Sequence, residues 1–318
     1  MGRFKRTLGP AVPIAVALAV WLIAMATVPA QGTPAAVSQA APAAPAQAGD
    51  YVGEDTCLTC HDTQSYKGTA HARKANTKTP AATHGCESCH GPGKAHVDGG
   101  GDKTQIKTFK AGGLSPQEAS EVCATCHNRG EHLLWAGSQH DRRNVSCVTC
   151  HNIHDSKSLK AQLKTETQGQ LCAQCHRDKV AKLDRSGHMP VREGKIECNT
   201  CHNVHGSQNV RLLRAGNSIG ESCQSCHQEK RGPFLWEHAP VRENCTTCHD
   251  PHGSANERML VAKQPFLCQR CHNHTRHPST IYDKTVVESV NRLYGRSCVN
   301  CHANIHGSNH PSGMTFLR

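Results

Sequence analysis

Ten times along the chain two cysteines stand three positions apart with a histidine directly after the second. The units are Cys57, Cys60 and His61; Cys86, Cys89 and His90; Cys123, Cys126 and His127; Cys147, Cys150 and His151; and Cys172, Cys175 and His176. They continue with Cys198, Cys201 and His202; Cys223, Cys226 and His227; Cys245, Cys248 and His249; Cys268, Cys271 and His272; and Cys298, Cys301 and His302. All 20 cysteines are consumed. This spacing is the attachment signature of c-type haem. Two thiols reach the two vinyl groups of one porphyrin, and the adjacent histidine reaches the iron as proximal ligand. Zinc ribbons and disulfides are the other chemistries open to paired cysteines. Zinc takes two such pairs per metal, and neither chemistry has a use for a histidine after every second cysteine. The reading is ten covalently attached haem c groups.

The other face of each iron needs a ligand as well. Of 24 histidines, 14 remain once the proximal set is removed. First cysteines of successive units lie 22 to 37 residues apart, and a longer repeat of about 50 residues emerges when the spare histidines are included. Each repeat holds two units and two spare histidines, one between the units and one past the second proximal histidine. The distal ligands read this way are His71, His96, His140, His154, His188, His205, His238, His252, His277 and His306. His84, His132 and His310 are left as non-ligands, and His274 competes with His277 for one place in the distal set. A histidine three residues beyond its own proximal partner cannot easily fold back onto the same iron, so these residues are expected to ligate neighbouring haems and lock the array together.

Methionine is too scarce to be the axial theme: past the leader only Met189, Met259 and Met314 remain. Histidine on both faces lacks the methionine contribution that raises potential, so a low-potential set is expected. Full six-coordination also leaves no open iron position, and no unit carries lysine in place of the histidine. Electron transfer is favoured over bond chemistry, with no catalytic residues. The competing class is a multihaem reductase with one open haem, which would sit where the ligand pattern is loosest, at His71, His96 or His277.

The elements that position this chemistry are sparse. Aromatic residues make up 4% of the 318 and hydrophobic residues 36%, cysteines included. That is too little apolar side chain for a conventional core of this size. Ten porphyrins would supply the missing surface, and an apoprotein unable to fold alone is expected. The fold class is therefore a multihaem c-type cytochrome with little regular secondary structure, short α-helices and loops wrapped around an elongated chain of ten haems. Ser115, Pro116 and Glu118 form a helix-start signature that should deliver Cys123. Residues 284–294 read as an amphipathic helix ended by Gly295.

The formal charge is +11, which would suit nucleic acid or an anionic membrane. Without Arg3, Lys5 and Arg6 of the leader it is three lower, at +8. About 20 haem propionates, offset by about one positive charge per ferric iron, bring the balance to roughly −2 oxidised and −12 reduced. Lysine and arginine then serve propionates, and nucleic acid is not expected as a partner. Residues 1–30 read as a Sec signal peptide, with that basic start, an apolar run over 11–28 and small residues before a cut after Ala30. Residues 31–49, rich in Ala, Pro, Gln and Gly, read as a disordered linker. Residues 50–318 are the decahaem domain, built of about five two-haem repeats.

The stretches Cys245-Thr246-Thr247-Cys248-His249-Asp250-Pro251-His252-Gly253-Ser254, Cys268-Gln269-Arg270-Cys271-His272 and Cys298-Val299-Asn300-Cys301-His302, the last followed by Ile305-His306-Gly307-Ser308, resemble the MtrA/DmsE-type decahaem cytochromes. The ten motifs, the leader and the length match as well, so the resemblance covers about 50–318. It implies the periplasm-facing half of an outer-membrane porin–cytochrome conduit, a wire of bis-histidine haems inserted in a large β-barrel. The partners implied are an outer-membrane β-barrel porin, an extracellular multihaem cytochrome and a periplasmic or inner-membrane cytochrome donor or acceptor. Relatives serve metal reduction, dimethyl sulfoxide respiration or iron oxidation. The competing reading within the class is a soluble periplasmic shuttle or electron store.

Overall fold

A computed structural model describes residues 47–272 and 297–317, apart from 63 and 159. The signal-peptide reading, most of the linker, His274, His277 and the helix expected over 284–294 lie outside the described residues. The chain divides after Pro45, and all the described residues belong to the unit that begins at Ala46.

Each cysteine–histidine unit is one closed helical turn. In all ten, the histidine backbone N–H donates to the carbonyl of the first cysteine, at 2.8–3.0 Å. The i→i+4 bond explains the spacing. Positions i, i+3 and i+4 of a helical turn share one face, so both thiols and the imidazole project to the same side. A single turn would be unstable in isolation, and local devices hold it. Helix α1 (Pro116–Ala124) carries Cys123 in its last turn and begins at the expected N-cap. Ser115 Oγ accepts the Glu118 N–H at 3.3 Å while Glu118 Oε2 accepts the Ser115 N–H at 2.8 Å. Helices α2 (Cys147–Cys150) and α3 (Cys198–Cys201) start on the first cysteine of the second unit in their repeats. Thr149 and Thr200 hydroxyls close these turns by accepting the N–H groups of Ser146 and Glu197.

The longest helix among the described residues (Arg177–Ser186) has ten residues. It is placed after His176 and leads toward His188. Among the described residues extended pairing occurs only as single bridges, three of them joining His151 to Leu163, His202 to Leu213 and His249 to Leu260. Among the described residues the buried apolar side chains are Tyr66, Ala119, Leu212, Leu213 and Leu260, and no large side chain is fully enclosed. A chain of this length with so small a protein core is what the composition implies when the cofactor is the packing surface.

Candidate haem-ligand array

Two kinds of thiol contact run through the array. Within each repeat, the first cysteines of the two units lie beside each other: Cys57 and Cys86, Cys123 and Cys147, Cys172 and Cys198, Cys223 and Cys245, and Cys268 and Cys298. Between repeats, the second cysteines are neighbours. Burial first, and then the charge of the neighbouring thiol, push up Cys89 beside Cys126 and Cys201 beside Cys226. Burial likewise raises Cys150 and Cys248, which lie near Cys175 and Cys271. These nine pairs of neighbouring cysteines follow all ten units in sequence order.

The histidines meet in pairs. His61 lies 6.2 Å from His96, His127 6.0 Å from His71, and His90 6.1 Å from His154, measured between ring centres. His176 and His140 are 6.3 Å apart, His151 and His205 6.1 Å, and His227 and His188 5.9 Å. His202 and His252 are 6.2 Å apart, His272 and His238 6.1 Å, and His249 and His306 6.1 Å. Every pair joins one motif histidine to one of the spare histidines singled out in the sequence. Two imidazoles on opposite faces of one metal, with metal–nitrogen bonds of about 2.0 Å and about 1.1 Å more to each ring centre, stand about 6.2 Å apart. The nine spacings fit that figure. His302 is described, whereas His277, the histidine expected opposite it, is not.

The pairing crosses between repeats in a fixed sense. His154, His205, His252 and His306 each reach back to the second motif of the preceding repeat. His71, His140, His188 and His238 each reach forward to the first motif of the next. His96 alone among the described distal candidates pairs inside its own repeat. Neutral imidazole is the ligating form, and burial holds several of these rings below the usual histidine range, among them His71, His154, His238, His252 and His306. His205 is held down to about 4, by burial first and then by His132 and His151.

The remaining histidines are placed differently. His132 lies 4.2 Å from His205 and 5.5 Å from His127, too near either for an iron between them. His84 stacks on Tyr51 at 4.0 Å. His310 Nδ1 accepts the Ser312 N–H at 3.1 Å.

The backward-reaching histidines are aimed by two devices that the sequence reading did not single out. The residue after the proximal histidine forms an Asx turn around the distal one: Asn152, Asn203 and Asp250 accept the backbone N–H groups of His154, His205 and His252 at 3.1, 3.2 and 3.0 Å. An Asn or Asp between two histidines three apart was the available signal. The second device is the glycine after the distal histidine. Gly206, Gly253 and Gly307 have φ of +126°, +117° and +133°, and a Cβ there would strike Leu134, Ser186 and Phe234 respectively. These three neighbours belong to the preceding repeat, so the absent side chain lets each loop dock against the repeat whose motif histidine it faces.

The proximal histidines of the second motifs are also held from behind. His90, His151, His202, His249 and His302 donate from Nδ1 to the carbonyls of Lys107, Ala161, Arg211, Arg258 and Thr315, at 2.5–2.9 Å. Such bonds fix the ring and its tautomer, leaving Nε2 for a metal.

The doubled cysteine–cysteine–histidine motif family matches residues 188–232 and 238–277, a cytochrome c-type protein NrfB-like family matches 86–175, and a cytochrome c554 and c-prime family matches 24–91. The chain is 42% identical over 276 residues to the multihaem cytochrome MtrA of Shewanella baltica, covering 84% of this chain and 81% of that one. It is 29% identical over 130 residues to the cytochrome c-type protein NrfB of Escherichia coli, 38% of this chain and 64% of the relative. The corresponding Haemophilus influenzae protein is 28% identical over 134 residues, 40% and 58% of the two chains.

Proposed function

The chain belongs to the MtrA-type family of multihaem c-type cytochromes, electron-transfer proteins that carry haem c, and on that premise we propose that it is the wire of an outer-membrane porin–cytochrome conduit. Haem, when bound, supplies a reversible one-electron couple. The cysteine pairs fix ten such groups covalently, Cys57 and Cys60 the first and Cys298 and Cys301 the last. The motif histidines hold one face of each iron. His71, His96, His140, His154, His188, His205, His238, His252, His277 and His306 hold the other. The observation that carries this reading is the set of nine ring pairs at 5.9–6.3 Å. Two histidines per iron exclude water and substrate from the metal, which suits electron passage.

The order of the units supports conduction along the chain. Neighbouring cysteines run from each unit to the next without a skip, so adjacent sites in sequence are adjacent in space. Crossed ligation ties each repeat to both neighbours and resists the separation that would break the path.

Among the described residues no helix is long and apolar enough to cross a membrane. A backbone of short turns and loops can lie at membrane depth only inside protein. Passage across the outer membrane therefore calls for a surrounding β-barrel, with periplasmic carriers at one end and an extracellular multihaem cytochrome at the other. The test is gentle detergent extraction of outer membranes followed by affinity purification. A stoichiometric β-barrel that stays bound through a high-salt wash is the expected result. Recovery wholly in the soluble periplasmic fraction would replace the conduit by a soluble shuttle.

A further inference from the structure

The ring pairs of the three central repeats fall into two geometries that alternate along the chain. His127 with His71, His176 with His140 and His227 with His188 have ring planes crossed at 64°, 70° and 63°. Interleaved with them, His151 with His205, His202 with His252 and His249 with His306 are close to parallel, at 19°, 9° and 19°.

A second observation follows the same alternation. In the near-parallel pairs the motif histidine donates from Nδ1 to a backbone carbonyl, Ala161 for His151 at 2.6 Å, Arg211 for His202 at 2.9 Å and Arg258 for His249 at 2.8 Å. Among the described residues no such bond is seen for His127 or His176, and His227 Nδ1 has Glu229 Oε1 at 3.7 Å, beyond hydrogen-bond reach, in place of a carbonyl. The accepting carbonyl is presented at a cost. Ala161 and Gln162, Arg211 and Leu212, and Arg258 and Met259 are consecutive non-glycine residues with φ between +51° and +76°. Left-handed backbone is disfavoured at residues that carry a Cβ. The surroundings hold it in place: Asn203 N–H donates to the Leu212 carbonyl at 2.7 Å and Arg214 N–H to the Cys201 carbonyl at 2.9 Å, with equivalent bonds around His151 and His249. Strain repeated at the same place in three repeats marks a position where the carbonyl direction matters.

Both features bear on the electronics of an iron held between the rings. A hydrogen bond from Nδ1–H to a carbonyl makes the imidazole a stronger donor, which favours ferric over ferrous iron and lowers the potential. Parallel axial rings direct their donation along one axis of the porphyrin and stabilise ferric iron more than crossed rings do. The two effects act in the same direction at the same sites.

We propose that the central array alternates two classes of haem site, of lower potential at the fourth, sixth and eighth motifs and of higher potential at the third, fifth and seventh, set by the crossed or parallel histidine planes and by the carbonyls of Ala161, Arg211 and Arg258. The proposal rests on bis-histidine ligation of these sites. A profile that rises and falls within each repeat imposes no net slope between the ends of the central array.

The test is a potentiometric titration of the full-length holoprotein followed by electron paramagnetic resonance. Crossed rings give ferric signals of large anisotropy, parallel rings give rhombic ones, and both types are expected together. On stepwise reduction the large-anisotropy signals should disappear first and the rhombic ones last. Arg211→Pro, which forces φ negative at the strap of His202, should move one rhombic centre to earlier reduction with all ten haems retained. A single signal type, or rhombic signals lost first, with all iron low-spin, would overturn the alternation and leave bis-histidine ligation standing. High-spin iron in the unmodified protein would instead overturn the ligation itself. The titration of the unmodified protein decides the matter even where the proline variant does not fold.

Discussion

The ring of His205 lies 6.1 Å from that of His151 and within 19° of parallel to it, although the two belong to different repeats. The nearer motif histidine in sequence, His202, pairs instead with His252 of the following repeat. Each backward-reaching histidine thus faces a motif histidine of the repeat before its own. Removing one should damage a neighbour's site and spare its own.

His205→Met should therefore alter the haem held by Cys147 and Cys150, and not the one held by Cys198 and Cys201. Methionine in place of histidine raises the potential of the affected site. Mass spectrometry should still count ten haems, and a redox titration should show one centre displaced upward. Loss of a whole haem would mean that His205 does more than complete the site of His151.

Gly253→Val tests how the loops dock. A Cβ at Gly253 would stand 2.5 Å from the Ser186 carbonyl oxygen and 2.6 Å from that of Lys182, at a φ of +117°. Strain and overpacking together should cost about 2–4 kcal/mol, and His252 should be drawn away from His202. Thermal denaturation should report the loss of stability, and absorption spectroscopy should report one site losing its low-spin character. A valine variant with unchanged melting and spectrum would show that the close approach is not needed.

Glu87 governs the start of the domain. Its carboxylate, in a residue 4% exposed, accepts backbone N–H groups from Val52 at 3.0 Å, Gly53 at 2.9 Å and Gly93 at 2.7 Å. Glu87→Leu would leave three donors unsatisfied at about 1–3 kcal/mol each if they stay buried. Protease should then cut ahead of Cys57 sooner than in the parent protein, with later repeats still protected. Equal protection at the N-terminal segment would contradict this anchoring.

The protein made without haem should lack a cooperative unfolding transition, since the buried apolar set amounts to Tyr66, Ala119, Leu212, Leu213 and Leu260 among the described residues. Circular dichroism during heating is the measurement. A sharp transition in the haem-free chain would show that these few residues form a sufficient core.

Much of the site was legible because the chemistry fixes local spacing. The i, i+3, i+4 pattern dictates one helical turn, and the capping box at Ser115 and Glu118 started its helix where expected. Which histidine faces which was not legible. Spacing disfavours self-pairing of His202 with His205 but does not say whether His205 turns to the repeat before or after. That direction is set by the docking of Gly206 against Leu134 and of Gly253 against Ser186, contacts distant in sequence. The carbonyl straps were hidden for a different reason. Ala161, Arg211 and Arg258 act through the backbone in a conformation their side chains do not favour, so their residue types carry no mark of it.

Closure of all ten irons by two histidines each is tested most directly by the absorption and magnetic circular dichroism spectra of the purified holoprotein, before and after carbon monoxide is added to the reduced form. Wholly low-spin iron in both oxidation states and no carbon monoxide adduct are the expected results. A high-spin fraction that binds carbon monoxide in stoichiometric amount would contradict such closure and place an open, enzyme-like haem in the array.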